Sequence, residues 1–289
     1  MPEAPAEIWL KLECLQPIGS FKIRGAANAI RQAPRELVRA GVVTASAGNM
    51  AQGVAWVARE LGVPATIVVP EHAPETKLAA IARLGGTVIK VSYDRWWQAI
   101  EESRFEGAEG LFIHPVQDEP VMAGNGTIGL ELAEELEKID TVLVPWGGGG
   151  LTTGIASALK AVTPDAEVFA VEPETGAPLA ASLAAGEARA IDYVPSFVDG
   201  AGSRELLPKM WKLAQPLLSG SHTVTLDETA AAVRVLAERA NVVAEGAGAL
   251  AVAAALSGRA GTGRIVCIVS GGNIDALRLA AILEGDTPG

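Results

Sequence analysis

The feature that most narrows the fold of this 289-residue chain is an alternation of short apolar runs with helix-period stretches along nearly its whole length. The runs lie at 8–12, 41–44, 65–69, 87–91, 111–113, 141–144, 167–171, 223–226 and 264–269. Helical periodicity fills 22–33, 50–61, 75–84, 94–105, 126–138, 151–162, 177–186, 227–240, 246–257 and 274–283. Runs this short are strands, and a strand–helix–strand rhythm lays helices on the faces of a mostly parallel sheet. Hydrophobic residues make up 49% of the chain but aromatics only 4%, so the interior must be built from Ala, Val, Leu and Ile. With 32 glycines, helices can approach sheets closely, as an α/β protein requires. A Pro- and Gly-containing region at about 188–222 breaks the rhythm. There is no linker between independent domains and no internal repeat.

Four consecutive glycines, Gly147, Gly148, Gly149 and Gly150, follow the run 141–144 and open a helical stretch at Leu151. Glycine weakens any regular element, so four together need a backbone reason. Between strand and helix, one reason is close approach of main-chain N–H groups to an anion; the plain alternative is a flexible turn. Two more such turns exist. Ser46-Ala47-Gly48-Asn49 follows one strand candidate, and Ser270-Gly271-Gly272-Asn273 follows another. In a parallel sheet all three fall at carboxyl ends of strands, where open α/β proteins bind ligands. A phosphate-bearing ligand is the expectation.

The phosphate-binding P-loop is excluded, because no Gly-Lys-Ser/Thr closes the glycine run. A dinucleotide fingerprint comes closer. Gly148-x-Gly150 meets its first two glycines, Thr153 stands where the third small residue belongs, and Glu172 lies about 20 residues on, where a ribose-binding acid is expected. An NAD-type dinucleotide-binding protein therefore remains a rival on these residues. Lys22, in Gly19-Ser20-Phe21-Lys22-Ile23-Arg24-Gly25, is either a solvated first-turn lysine with Ser20 as N-cap or a pocket lysine available for a Schiff base.

At this point the chain resembles the pyridoxal-phosphate (PLP) enzymes of the tryptophan-synthase β-like group, fold type II. Within it, the chain is similar to the serine/threonine dehydratase and serine racemase family. The resemblance is carried by Lys11-Leu12-Glu13-Cys14-Leu15-Gln16-Pro17 through Gly25, Thr44-Ala45-Ser46-Ala47-Gly48-Asn49 with Gln52-Gly53, Gly124-Asn125-Gly126-Thr127, the tetraglycine with Leu151, Glu245-Gly246-Ala247-Gly248-Ala249, and Ser270 to Asn273, in the family's order. It implies two open, twisted, mostly parallel sheets covered by helices. It also implies a large PLP-binding domain (1–40 and 119–289), a small domain (41–118), a cofactor cleft and a homodimer.

The resemblance further implies that Lys22 is the catalytic lysine that holds PLP, with Phe21 packed beside the ring. Asn49 would meet the coenzyme's 3-hydroxyl, and Gly147, Gly148, Gly149, Gly150 and Leu151 would offer N–H groups to its phosphate. Ser270 would face the pyridine nitrogen, and Gly200 and Glu245 would line the pocket. Ser46, Ala47, Gly48 and Asn49 would receive the substrate carboxylate. The implied activity is an ammonia-lyase reaction on L-threonine, L-serine or both, giving a 2-oxo acid and ammonia by β-elimination of the hydroxyl. The freed Lys22 amine would take the Cα proton, and the pinned phosphate would protonate the departing hydroxyl. The family alternatives are a dehydratase of 3-hydroxyaspartate or a bulkier β-hydroxy amino acid, and a serine racemase. Racemases of the family look to place a serine where Ala47 stands, and alanine cannot transfer a proton. Met50 stands where many relatives have histidine, and Val116 where some have asparagine.

Other expectations are negative. Net charge is −11, which opposes nucleic acids and anionic membranes. Three scattered histidines do not suggest a metal site. A cation near Glu172 is not expected because Pro178 occupies the later acidic position, and Glu172 reads instead as a strand-end carboxylate making hydrogen bonds. The two cysteines, Cys14 and Cys267, read as buried thiols of a reduced, cytoplasmic chain. The first seven residues lack the basic and apolar regions of a leader. The amino end is shorter than in relatives, and no regulatory amino-acid-binding domain follows the last helix, so feedback inhibition through one is not expected. Trp96 and Trp97 read as core or interface anchors, and Arg24 as an exposed helix charge.

Overall fold

The computed structural model describes residues 6–289; Met1 to Pro5, the larger part of the segment read above for a leader, lie outside the described residues. Contacts divide the chain into a larger unit, Met1–Ser20 with Gly126–Gly289, and a smaller one, Phe21–Asn125. In chain order the larger unit begins with β1 (Glu7–Leu12) and a 3-10 turn at Glu13–Leu15. The smaller unit follows with α1 (Lys22–Gln32), α2 (Arg35–Ala40), β2 (Val42–Ala45), α3 (Asn49–Leu61), β3 (Ala65–Pro70), α4 (Glu75–Arg83), β4 (Thr87–Val91), α5 (Tyr93–Glu102) and β5 (Leu111–Phe112). Helix α6 (Glu119–Glu135) runs through the boundary at Asn125. The larger unit resumes with β6 (Thr141–Pro145), α7 (Gly150–Val162), β7 (Glu167–Pro173), α8 (Pro178–Ala185), α9 (Pro208–Ala214), β8 (Gly220–Val224), α10 (Leu226–Ala240), α11 (Gly246–Leu256), β9 (Arg264–Val269) and α12 (Ala276–Glu284).

Both sheets are parallel throughout. The larger has order β1-β9-β6-β7-β8 and the smaller β4-β3-β2-β5. Central strands β2 and β6 are buried along their whole length, as expected of strands with helices on both faces, whereas edge strands β1 and β4 carry exposed positions. The larger core gathers β6, β7, β9, α10 and α11. Helix α11, Gly-Ala-Gly-Ala-Leu-Ala-Val-Ala-Ala-Ala-Leu, is apolar all round and buried over its first ten residues, so it sits inside the unit rather than on its surface. Its Gly248 backs directly onto the Gly271 carbonyl, where no Cβ has room. The smaller core packs Val43, Ala45, Val68, Val91, Ala99 and Ile100 beneath Trp96 and Trp97, so the tryptophan pair is anchored in its own unit.

The expected α/β class with two sheets is what the chain adopts. Within the smaller unit α1 packs on α3: a Cβ on Gly53 would stand 3.2 Å from the Lys22 carbonyl. Several element boundaries differ from those expected. Helix α6 starts at Glu119, seven residues before its expected start, and Gly124 and Gly126 lie inside it. A Cβ on Gly124 would stand 2.5 Å from the Arg24 carbonyl, so glycine here serves helix-to-helix approach and not a turn. The irregular region 188–222 contains α9, whose Ala214 packs with Trp146, Ala170, Leu179 and Leu206. Strand β8 starts three residues and ends two residues earlier than expected, because Thr225 is already the N-cap of α10.

Candidate active site

In the larger unit, β6 and β9 are parallel neighbours, Thr141 to Leu143 beside Ile265 to Cys267, so the turns leaving their carboxyl ends emerge side by side. After β6 the chain runs through Trp146 and the glycines into α7. Gly149 is the N-cap, at φ +93° in the left-handed region, and a Cβ there would lie 2.5 Å from the Trp146 ring. Trp146 itself is fully buried. No side chain caps α7, so its leading N–H groups are presented by a backbone only glycine can adopt. Leu151 turns its side chain into the core and can contribute only its N–H.

The other expected residues of this unit join the same place. A Cβ on Gly147 would stand 3.1 Å from the Gly200 carbonyl, and the Gly202 N–H donates to the Trp146 carbonyl at 3.1 Å. Beside Gly200 lies the Glu245 carboxylate, whose Oε1 is 3.7 Å from the Cβ position, and the Glu245 N–H donates to the Gly271 carbonyl at 3.0 Å. Ser270 precedes Gly271 and is buried. Gly147, Gly200, Glu245 and Ser270 thus form one continuous patch. Ser20, also buried, bridges Gly271 in antiparallel fashion; the Gly272 N–H donates to the Gly19 carbonyl at 2.9 Å, and Asn273 Nδ2 to the Ile18 carbonyl at 2.8 Å. Lys22 follows two residues after this pinned segment.

In the smaller unit, Lys22 is the first residue of α1, half-buried, with Nζ 5.2 Å from the Phe21 ring centroid. Its Nζ donates to the Pro115 carbonyl at 2.7 Å. That carbonyl belongs to a turn the sequence did not single out as a partner of Lys22. His114, buried, accepts the Val116 and Gln117 N–H groups on Nδ1, each at 3.0 Å, while its own N–H donates to Asp118 Oδ2 at 2.7 Å. The local signal was available as a histidine and an aspartate flanking Pro-Val-Gln, the composition of a side-chain-closed turn. In the Ser46 to Asn49 turn, Ser46 Oγ accepts the Gly48 N–H at 3.2 Å. Gly48 is the N-cap of α3, no side chain caps that helix, and the space at the Gly48 Cβ position is open. Ala47 and Asn49 are half-buried beside it, while Met50 turns into the core.

Glu172 is not part of these groups. At the end of β7 it is fully buried, accepting the Leu179 N–H at 2.9 Å, the Ala180 N–H at 2.8 Å and the Ser221 hydroxyl at 2.9 Å. Burial pushes its carboxyl up to about 7 against those three donors. Both oxygens are engaged, so it does not stand ready for a ribose. Cys14 and Cys267 are buried free thiols, each raised by burial. His72 is exposed, and His222 stacks on Phe169 with centroids 4.8 Å apart. No helix among the described residues is long and apolar enough to cross a membrane.

Residues 2–271 match the pyridoxal-phosphate dependent enzyme family. The chain is 42% identical over 281 residues to an L-threonine ammonia-lyase of Thermotoga maritima, covering 96% of this chain and 70% of that protein. Among solved structures it is similar to the processed form of threonine deaminase isoform 2 from Solanum lycopersicum (TM-score 0.87, 33% identity, 97% of this chain and 78% of that one). It is also similar to maize serine racemase (TM-score 0.84, 36% identity, 96% and 87%). The chain belongs to the pyridoxal-phosphate dependent enzyme family, and its cofactor is PLP.

The residues present fit that group. The N-terminus of α7, with Gly149 as N-cap and no side-chain cap, is a backbone suited to a phosphate. The buried Ser270 in the same unit offers a neutral hydroxyl. In the smaller unit, by itself, Gly48 begins a second helix that no side chain caps, with open space at its Cβ position.

Proposed function

We propose that this chain is a PLP-dependent ammonia-lyase that converts L-threonine, L-serine or both into the 2-oxo acid and ammonia. The observation that carries the assignment of its lysine is the Ser20–Gly271 bridge, which fixes the chain beside Ser270 two residues before Lys22. Lys22 is the lysine that holds the cofactor. Gly147, Gly148, Gly149, Gly150 and Leu151 give N–H groups to its phosphate, Asn49 meets its 3-hydroxyl, Ser270 its ring nitrogen, and Phe21, Gly200 and Glu245 line it. Ser46, Ala47, Gly48 and Asn49 receive the substrate carboxylate at the start of α3, which no side chain caps.

The cofactor, when bound, supplies the electron sink that makes the substrate Cα–H acidic. Lys22 Nζ, as the neutral amine, takes that proton; its position one hydrogen bond from the Pro115 carbonyl keeps it oriented. Ser270 is uncharged and brings no carboxylate to the ring nitrogen, which favours loss of the β-hydroxyl over a long-lived carbanion. Racemisation needs a second proton donor on the opposite face of Cα, and Ala47 has no titratable atom. A dehydratase of 3-hydroxyaspartate or a bulkier β-hydroxy amino acid shares all these groups and is separated only by substrate.

Borohydride reduction should abolish a visible absorption band and leave a pyridoxyl adduct on Lys22. Lys22→Ala should lose ammonia release by about 10³-fold or more. A colourless protein in excess PLP, or full activity in Lys22→Ala, overturns the proposal. A panel of serine, threonine and 3-hydroxyaspartate, scored for 2-oxo acid, assigns the substrate. We further propose a cytoplasmic homodimer. The net charge of −11 disfavours anionic surfaces, and the exposed Trp9, Leu15 and Leu277 give apolar area for a second copy. Light scattering tests the dimer, and cell fractionation the compartment.

A further inference from the structure

We propose that His114 is a positioning residue for Lys22: its imidazole fixes the turn whose Pro115 carbonyl holds the lysine amine whenever that amine is not bonded to the cofactor. The inference rests on Lys22 being the cofactor lysine. Its geometry lies entirely within the smaller unit.

The link between His114 and Lys22 is a single peptide plane. The Pro115 carbonyl and the Val116 N–H belong to the same planar amide and point in opposite directions. The Val116 N–H donates to His114 Nδ1 at 3.0 Å, and the Pro115 carbonyl accepts from Lys22 Nζ at 2.7 Å. Fixing one end of that plane fixes the other. The Gln117 N–H, on the same Nδ1 at 3.0 Å, prevents the turn from rolling about the first bond. Asp118 Oδ2 accepts the His114 N–H at 2.7 Å and anchors the imidazole's own backbone.

An imidazole nitrogen that accepts two N–H bonds carries no proton, so the ring is neutral with its proton on Nε2. His114 is buried and Lys22 half-buried, so water competes little for either bond. A neutral amine that gives one N–H to a fixed carbonyl has its lone pair held to the two remaining tetrahedral positions instead of turning freely. That is what both capture of the cofactor and removal of a proton from Cα require.

The test uses the whole chain, with and without PLP. Asparagine at 114 carries an oxygen on the same side-chain carbon as Nδ1 and can accept the same two N–H bonds; leucine cannot. His114→Leu should slow PLP capture by the cofactor-free protein and lower kcat, each about tenfold, with KM for threonine within about threefold. His114→Asn should recover most of both rates. Nitrogen-15 NMR of the unsubstituted protein, which has three histidines, should show His114 with Nδ1 unprotonated. That measurement stands even if His114→Leu fails to fold. A protonated Nδ1, a His114→Leu protein with unchanged capture and kcat, or His114→Asn no better than His114→Leu overturns the positioning role while leaving Lys22 as the cofactor lysine. A borohydride adduct on a lysine other than Lys22 overturns the functional proposal itself.

Discussion

Glu172 Oε1 accepts the Leu179 N–H at 2.9 Å, so a buried carboxylate at the end of β7 caps the helix α8 that follows it. Its other oxygen takes the Ala180 N–H and the Ser221 hydroxyl, tying α8 and β8 to the same strand. The sequence offers the same glutamate as a ribose ligand or as a strand-end carboxylate making hydrogen bonds. Its neighbours make it the second, a structural bracket.

That bracket is pH-dependent. The Glu172 carboxyl lies at about 7 in the folded chain, raised by burial from an ordinary 4.5, so the folded state binds its proton more tightly than the unfolded state does. Its contribution to stability is fully present below about 4.5 and lost as pH rises through 7, on the order of 3 kcal/mol across the window. The melting temperature of the natural protein should therefore rise relative to Glu172→Gln between pH 8 and pH 5. A difference between the two proteins that stays flat over this range would count against the raised value.

Gly149→Ala should be costly twice. The position needs φ +93°, and the added methyl meets the buried Trp146 ring at 2.5 Å, so a loss of about 1–3 kcal/mol is expected. PLP titration should show weaker binding as well, because the α7 donors move. Unchanged PLP affinity in a destabilised protein would separate the turn from the phosphate.

Thr225→Ala provides a contrast. Thr225 Oγ1 accepts the Glu228 N–H at 3.1 Å and Glu228 Oε2 accepts the Thr225 N–H at 2.8 Å, a reciprocal cap on α10. Its removal should cost about 1 kcal/mol in denaturant melts while kcat and PLP affinity stay unchanged. Loss of PLP affinity would mean that α10 is coupled to the cofactor.

Ala47→Ser adds a hydroxyl, between β2 and α3, to a turn that otherwise offers no titratable side chain at this position. Chiral chromatography of residual serine should show D-serine rising above the level of the unsubstituted protein, with ammonia release kept within about tenfold. No gain in D-serine would mean that residue 47 does not face the substrate Cα.

Strands β4 and β9 lie where the sequence put them, because each is an apolar β-branched run bounded by turn residues. Helix α2 escaped notice: none of its six residues is buried, so it has no apolar stripe to read. Helix α6 was cut short because glycines that serve close packing look, one residue at a time, like glycines that serve a turn. In the candidate site, the glycine run and the Ser46 and Ser270 turns were legible because strand-to-helix turns with small residues are local. The His114 turn was visible only as a string of polar residues near a proline.

The sequence by itself determined the α/β class, the parallel strands and which turns carry donors, since each follows from periodicity and turn chemistry within a few residues. Only the tertiary structure decided that β9 lies beside β6, bringing Ser270, Gly200 and Glu245 to the tetraglycine, and that a carbonyl 93 residues away receives Lys22 Nζ. It also decided that Glu172 is spent on α8 rather than offered to a ligand. Strand order and long-range hydrogen bonds are set by how whole elements bury their faces against one another, and no local pattern encodes which partner each will find.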